Sequence, residues 1–525
     1  MGQGRKLASF TDLSSELLRQ IFGHFCLHCC DKTKDYLLQE SGTLAENYCR
    51  DRHVLVALCL ASRRFRDVSQ EILHHVFLIA PSEPDLVRQP SVKTSLPRFI
   101  RTIASKRHLA AVTKAVVFFH SLEAPNVQLE DAQECFRHVA EVTGTHSSEV
   151  WDQRKNLSPY RDDFLQELIL GKAHSQCDPE TIESHANTLA TELLFILVAL
   201  LPKLPHLALD VSIHQTFDQL EALKALGVSR LPLKTLEIDG VSDTAWLSSQ
   251  LITSSPDLET LCLYHSTSLP EISTIKTLHL RRFRMSVKHL ESILSSCTGH
   301  LRTFTYEASD IVAYHVDENS SFMIQARDAI QALEKHNKSL EKLHLDLRIR
   351  TFMCRNTKIA PMSSLEAFTT LQELLINTDA VYNDQSSQLQ LADDILLTRF
   401  LPPNIVSLHL VEPEFPTLPA RIQRGLIGLA DLKRRDSSRF PNLKQVTCDN
   451  KEMFKEYYVR NVLSEVGIDL IHKEFPRPDW SYDRGHLISQ HPQKYPAMEE
   501  RFVEEEFGIL RCYAPPMPDE SDDDL

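Results

Sequence analysis

A six-residue pattern (apolar, any, any, apolar, any, apolar) returns nine times between residues 204 and 448. It reads Leu204-Pro-His-Leu-Ala-Leu209, Leu233-Lys-Thr-Leu-Glu-Ile238 and Leu258-Glu-Thr-Leu-Cys-Leu263 in its first copies. Ile275-Lys-Thr-Leu-His-Leu280, Leu301-Arg-Thr-Phe-Thr-Tyr306 and Leu340-Glu-Lys-Leu-His-Leu345 follow. Leu371-Gln-Glu-Leu-Leu-Ile376, Ile405-Val-Ser-Leu-His-Leu410 and Leu443-Lys-Gln-Val-Thr-Cys448 complete the series. The alternation at the end of each copy makes a short strand with one face buried, and the opening leucine or isoleucine anchors the turn arriving from a helix. Such a unit buries its apolar face by stacking on its neighbours.

Helical periodicity fills the intervals. Leu290, Ile293 and Leu294 mark a helix over 287–294, Ala326, Ala329, Ile330 and Leu333 one over 322–333, and another runs from Leu391 to Phe400. Starts lie 17 to 39 residues apart, so several copies carry insertions. Upstream, Leu96 to Ile103 reads as a helix and 112–119 as a β-rich segment, the same order again. Residues 121–190 fit less well: Leu129 to Val142 and Phe164 to Leu170 look helical, with Trp151 in a polar connector, and the stretch reads as an insertion. Phe454 to Val466 is expected to cap the last copy, and the Pro-then-acid end, Pro515 to Leu525, to be disordered.

The N-terminus is organised differently. Leu13, Leu17, Leu18, Ile21, Phe22 and Phe25 recur at helical spacing, with Asp12 or Ser14 placed to cap. A second apolar segment runs from Val54 to Val68, and a third turn carries Ile72, Leu73, Val76 and Phe77. Three short helices cannot bury all of these side chains among themselves, so some must face a partner.

Leu13-Ser-Ser-Glu-Leu-Leu-Arg-Gln-Ile-Phe22, followed by Leu58-Cys-Leu-Ala-Ser-Arg-Arg-Phe65, resembles an F-box of the fungal type. Ser14 stands where that family usually has proline, and residues 26–53 lengthen the joint between the first two helices. The nine copies are similar to the irregular leucine-rich repeats that often follow such an F-box. The expected architecture is an α/β solenoid: a three-helix F-box over 1–80 with an insertion at 26–53, a linker, early repeat and helical insertion over 81–190, a leucine-rich-repeat-like α/β array over 191–470, and a C-terminal extension over 471–525.

Composition narrows the function. Lys and Arg number 57 against 71 Asp and Glu, a net charge of −14 that disfavours nucleic acid and anionic membranes as partners. The most apolar run, Leu193 to Leu201, is too short to cross a bilayer. Twelve cysteines without a disulfide framework fit a reducing compartment, cytoplasmic or nuclear. Cys26, Cys29, Cys30 and Cys49, with His24, His28 and His53 near them, are zinc-ligand types, but the far half offers only Cys49 and His53. The segment therefore reads as a variable loop with incidental thiols, with no metal assigned. No phosphate loop, dinucleotide fingerprint, nucleophile elbow or HExxH is present, so no catalytic residue and no cofactor is expected.

His279, His344 and His409 each fall between the last two apolar residues of a copy, and Glu237, Arg281 and Asp346 join them on one face. That face is the candidate substrate surface; its plainer reading is the solvated side of the strands. The resemblance implies a non-catalytic, substrate-recognition subunit of a Skp–cullin–F-box ubiquitin ligase. Leu13, Leu17, Leu18, Ile21, Phe22, Leu58 and Phe65 would then supply the Skp-adaptor contacts, some of them forming the F-box's own core, while the repeats present a protein substrate. The alternative is a repeat scaffold with no ligase association, its first helices capping the array.

Overall fold

A computed structural model describes residues 13–30, 41–79, 92–118, 129–154 except 145, 192–210, 223–239 except 225, 251–264 and 269–308 except 284. It continues with 324–348, 363–382, 393–412, 419–451 and 457–475, and includes 166, 169 and 170. The expected linker at 80–84, most of the insertion beyond 154 and the acidic tail lie outside the described residues.

Twelve strands form one parallel sheet in chain order. They are β1 (Val76–Ile79), β2 (Ala115–Phe118), β3 (His206–Asp210), β4 (Thr235–Asp239), β5 (Thr260–Tyr264) and β6 (Thr277–Phe283). Next come β7 (Thr303–Ala308), β8 (Lys342–Asp346), β9 (Glu373–Asn377), β10 (Ser407–Val411), β11 (Gln445–Cys448) and β12 (Asp469–His472). All nine hexads are strands, β3 to β11, and each strand begins at the third residue of its hexad. The opening apolar residue of every copy, Leu204 through Leu443, is at most 1% exposed. The carbonyl just before one strand accepts two N–H groups from the next copy: Pro205 from Lys234 and Thr235, Lys234 from Glu259 and Thr260, Glu259 from Lys276 and Thr277. This repeated clip sets the register.

Because every crossover steps one strand in the same direction, the handedness rule puts the connecting helices on one face. There Leu290, Ile293 and Leu294 of helix Val287–Ser296, and Ala329, Ile330 and Leu333 of helix Ala326–Leu333, share a core with Leu278, Leu280, Leu343 and Leu345. The expected helices over Leu96–Ile103, Leu129–Val142, Leu391–Phe400 and Phe454–Val466 correspond to Val92–Ser105, Leu129–Thr143, Asp393–Phe400 and Tyr457–Glu465. Trp151 departs from expectation. It lies in helix Ser147–Arg154 and packs against the main core, because Val150 beside it is fully buried.

At the N-terminus α1 (Ser15–Gly23) is capped by Ser14, whose hydroxyl accepts from Leu17 N at 3.3 Å. Two boundaries differ from the sequence reading. The segment Val54–Val68 is broken at Ser62, whose side chain caps α3 (Arg63–Leu73) after α2 (Ser41–Ala61) has ended. Val76 and Phe77 belong to β1, not to a helical turn, so α3 feeds directly into the sheet. A second buried cluster joins Leu18, Phe22, Val68 and Ile72 to Val76, Leu78, Ala115 and Val117 of β1 and β2. Phe77, Ile79, Val116 and Phe118, the alternate residues of those strands, lie in the main core. The N-terminal helices therefore cover the sheet face opposite the connecting helices.

Candidate functional site

The seven apolar residues expected at an adaptor surface are sorted by the packing of α1 on α3. The Phe22 and Phe65 rings meet edge to face at 5.6 Å, and Leu18 and Phe22 are enclosed at 0% and 1% exposure. These two build the internal core and are unavailable to a partner. Leu13, Ile21, Leu58 and Phe65 are half-buried, and Leu17 is 46% exposed. Val56 and Leu60 of α2 are exposed as well, Leu60 at 75%. Sequence reasoning passed over both, although their i, i+4 spacing marked a common helix face.

The six residues of the proposed substrate face share the sheet surface away from the connecting helices, and strand register aligns Glu237, His279 and His344 along it. This surface is only partly solvated: Glu237 and His409 are buried, and His279, Arg281, His344 and Asp346 are half-buried. Neighbouring strands stand close enough for their polar side chains to pair sideways. Glu237 is fully buried and meets His206 Nε2 at 2.6 Å. Arg281 donates to Glu307 at 2.9 Å. Glu373 Oε1 meets His344 Nε2 at 2.9 Å, and its other oxygen accepts from Lys342 at 2.8 Å. Asp346 holds the Arg348 guanidinium through both carboxylate oxygens. His409 is buried between Ser407 and Thr447.

The chain beyond β12 also reaches this face. Arg348 donates to the Phe475 carbonyl at 3.1 Å, and the Phe475 ring stands edge-on to His409 at 5.7 Å. Arg348, the partner of Asp346, and His409 are thereby engaged by the segment that follows β12. Burial, with the Arg281 charge beside it, pushes the His279 imidazole down to about 3. Its Nδ1 is enclosed with no hydrogen-bond partner among the described residues. Burial likewise lowers His409 to about 4. The hydrogen bond from His344, with help from Lys342, holds Glu373 at about 2. His279 and His409 are thus neutral near pH 7 while Glu373 is charged, an arrangement suited to holding strands together and to polar contact with a partner.

A separate cluster lies where α1 ends. The chain turns through Cys26 N to Gly23 O and Cys30 N to Cys26 O hydrogen bonds, placing Cys26 and Cys29 on the same side. His75, at the junction of α3 and β1, comes to them: its Nδ1 is 3.3 Å from Cys29 Sγ and 3.8 Å from Cys26 Sγ. His28 Nδ1 is 3.9 Å from Cys29 Sγ. Hydrogen bonding from the Cys26 thiol, then from His28 and His75, holds Cys29 well below the ordinary thiol range, while the same contact and burial push Cys26 up. Cys30 turns away, donating to Gly23 O and His24 O, and Cys49 packs with the helices' core.

No protein-family model matches the chain, and no curated protein matches it. What the structure defines is an α/β protein built on a single parallel sheet in chain order. Among the described residues, no helix is long and apolar enough to cross a membrane.

Proposed function

We propose that this chain is the substrate-recognition subunit of a Skp–cullin–F-box ubiquitin ligase. On this reading 13–79 is the adaptor-binding module and the strand–helix array is an irregular leucine-rich-repeat solenoid. The observation that carries it is the pairing of Leu17, exposed on α1, with Leu18 and Phe22, enclosed on the same helix. An amphipathic helix that closes its own core and still leaves a large leucine in water, as α2 likewise leaves Val56 and Leu60, supports a surface awaiting a partner. The module does no chemistry: by tethering target and ubiquitin-loaded enzyme it raises the effective concentration of the target's lysines. His279, Arg281, His344 and Asp346 are the half-buried members of the substrate face; contact with a target is assigned to the first three, since Asp346 is taken up by Arg348, in preference to enclosed Glu237 and His409.

A second reading rests on its own observation. The N-terminal helices share one core with β1 and β2, as a cap of the array would. Co-purification with a Skp-type adaptor separates the two. Stable capture by the wild-type chain, lost in Leu17→Asp/Leu60→Asp with thermal unfolding unchanged, supports the ligase subunit. A folded wild-type chain that captures no adaptor leaves the capped scaffold.

A further inference from the structure

Cys26, His28, Cys29 and His75 each offer a ligand atom, and the four atoms lie within 4.8 Å of one another. Tetrahedral zinc, with bonds of about 2.3 Å to sulfur and about 2.0–2.1 Å to nitrogen, requires sulfur–nitrogen separations of roughly 3.5 Å and a sulfur–sulfur separation of roughly 3.8 Å. The sulfur–nitrogen contacts here are 3.3, 3.8 and 3.9 Å. We propose that these four side chains bind a structural zinc ion, a site independent of the ligase reading.

Three observations make this a built site. Cys26-Leu-His-Cys29 has the C-x2-C spacing that lets one turn present two sulfurs to one metal, and the Cys30 N to Cys26 O hydrogen bond of 3.1 Å closes that turn. The fourth ligand is held by the sheet: the His75 carbonyl accepts from Lys114 N at 2.7 Å and Ala115 N at 3.0 Å, so β2 fixes its position. The His28 and His75 rings stand perpendicular, centroids 5.6 Å apart, as two imidazoles on adjacent corners of a tetrahedron can. Two thiolates and two neutral imidazoles cancel the charge of the dication, and an S2N2 set selects zinc among divalent metals by geometry and softness. The ion would staple the hook after α1 to the α3–β1 junction, across 46 residues of sequence. Its binding energy then becomes part of the folding energy of the N-terminal module.

The test is elemental analysis of the purified full-length chain after gel filtration in zinc-free buffer. About one zinc per chain is expected. It should fall to near zero in Cys29→Ser and His75→Ala, and persist in Cys30→Ser and Cys49→Ser, whose thiols lie outside the set. Should the ligand variants fail to fold, cobalt exchanged into the wild-type chain gives a second measurement: intense tetrahedral d–d bands with a thiolate charge-transfer band are expected. A folded wild-type chain without zinc overturns the site, as does zinc retained by both ligand variants, an octahedral cobalt spectrum, or a Cys26–Cys29 disulfide in folded, metal-free chain.

Discussion

His206 Nε2 lies 2.6 Å from Glu237 Oε1, one strand away, and the glutamate side chain is completely enclosed. A buried carboxylate deprived of a close donor is costly, whereas removing both partners together is far less so. His206→Leu is expected to destabilise the chain by about 1–3 kcal/mol. The double variant His206→Leu/Glu237→Leu should lose clearly less than the sum of its singles. Denaturant unfolding of the four proteins in this cycle checks both statements; additive losses would show that the pair is not coupled.

The N-terminal helices should separate stability from partner binding. Leu18→Ala and Phe22→Ala remove enclosed side chains and should cost about 2–5 kcal/mol. Leu17→Ala and Leu60→Ala, at exposed positions, should stay within about 0.5 kcal/mol. Adaptor capture should rank the folded variants oppositely, with the exposed leucines mattering most.

Helices Asp393–Phe400 and Pro419–Arg435 approach so closely that a methyl group on Gly428 would run into the backbone carbonyl of Asp394. Alanine favours a helix over glycine by about 1 kcal/mol. Here overpacking against a rigid carbonyl opposes that gain with about 1–3 kcal/mol or more. Gly428→Ala should therefore lower the midpoint of thermal unfolding; an increase would mean that the two helices can part freely.

Acid should weaken the fold in two steps. Burial first, with weaker charge effects, lowers His74 to about 4, His279 to about 3 and His409 to about 4, from 6.5. The unfolded chain then binds more protons than the native one as pH falls below 6.5, so stability present above that pH declines toward 4. Glu373, held at about 2 from 4.5 by His344 and Lys342, adds a second loss as pH falls from 4.5 toward 2. Thermal unfolding measured at intervals from about pH 7 to pH 4 should show the first decline, and His279→Gln should flatten it.

The strands were legible because an apolar-any-apolar ending has one physical use when repeated with helices between: a strand with one face in a core. All nine hexads proved to be strands, and their leading residues proved to be buried anchors. β1 escaped recognition because Val76 and Phe77 follow α3 immediately and continue its apolar spacing, so periodicity alone reads them as one more turn. Among the N-terminal side chains, helical spacing marked Leu17 and Leu18 alike as apolar, yet one is in water and the other enclosed. Only the direction from which α3 packs distinguishes them.

What this sequence determines by itself is the local alternation, and with it the α/β class, the order of elements and the residues each strand commits to the helix-side core. Such information is carried by neighbours a few positions apart, where backbone geometry dictates which side chains share a face. The tertiary structure decided the rest. It set Glu237 against His206, laid Phe475 over His409, and brought His75 to Cys26 and Cys29. Each of these pairs spans tens of residues, and its members meet only because parallel strands in register, and helices closed on a common core, carry distant positions to the same place.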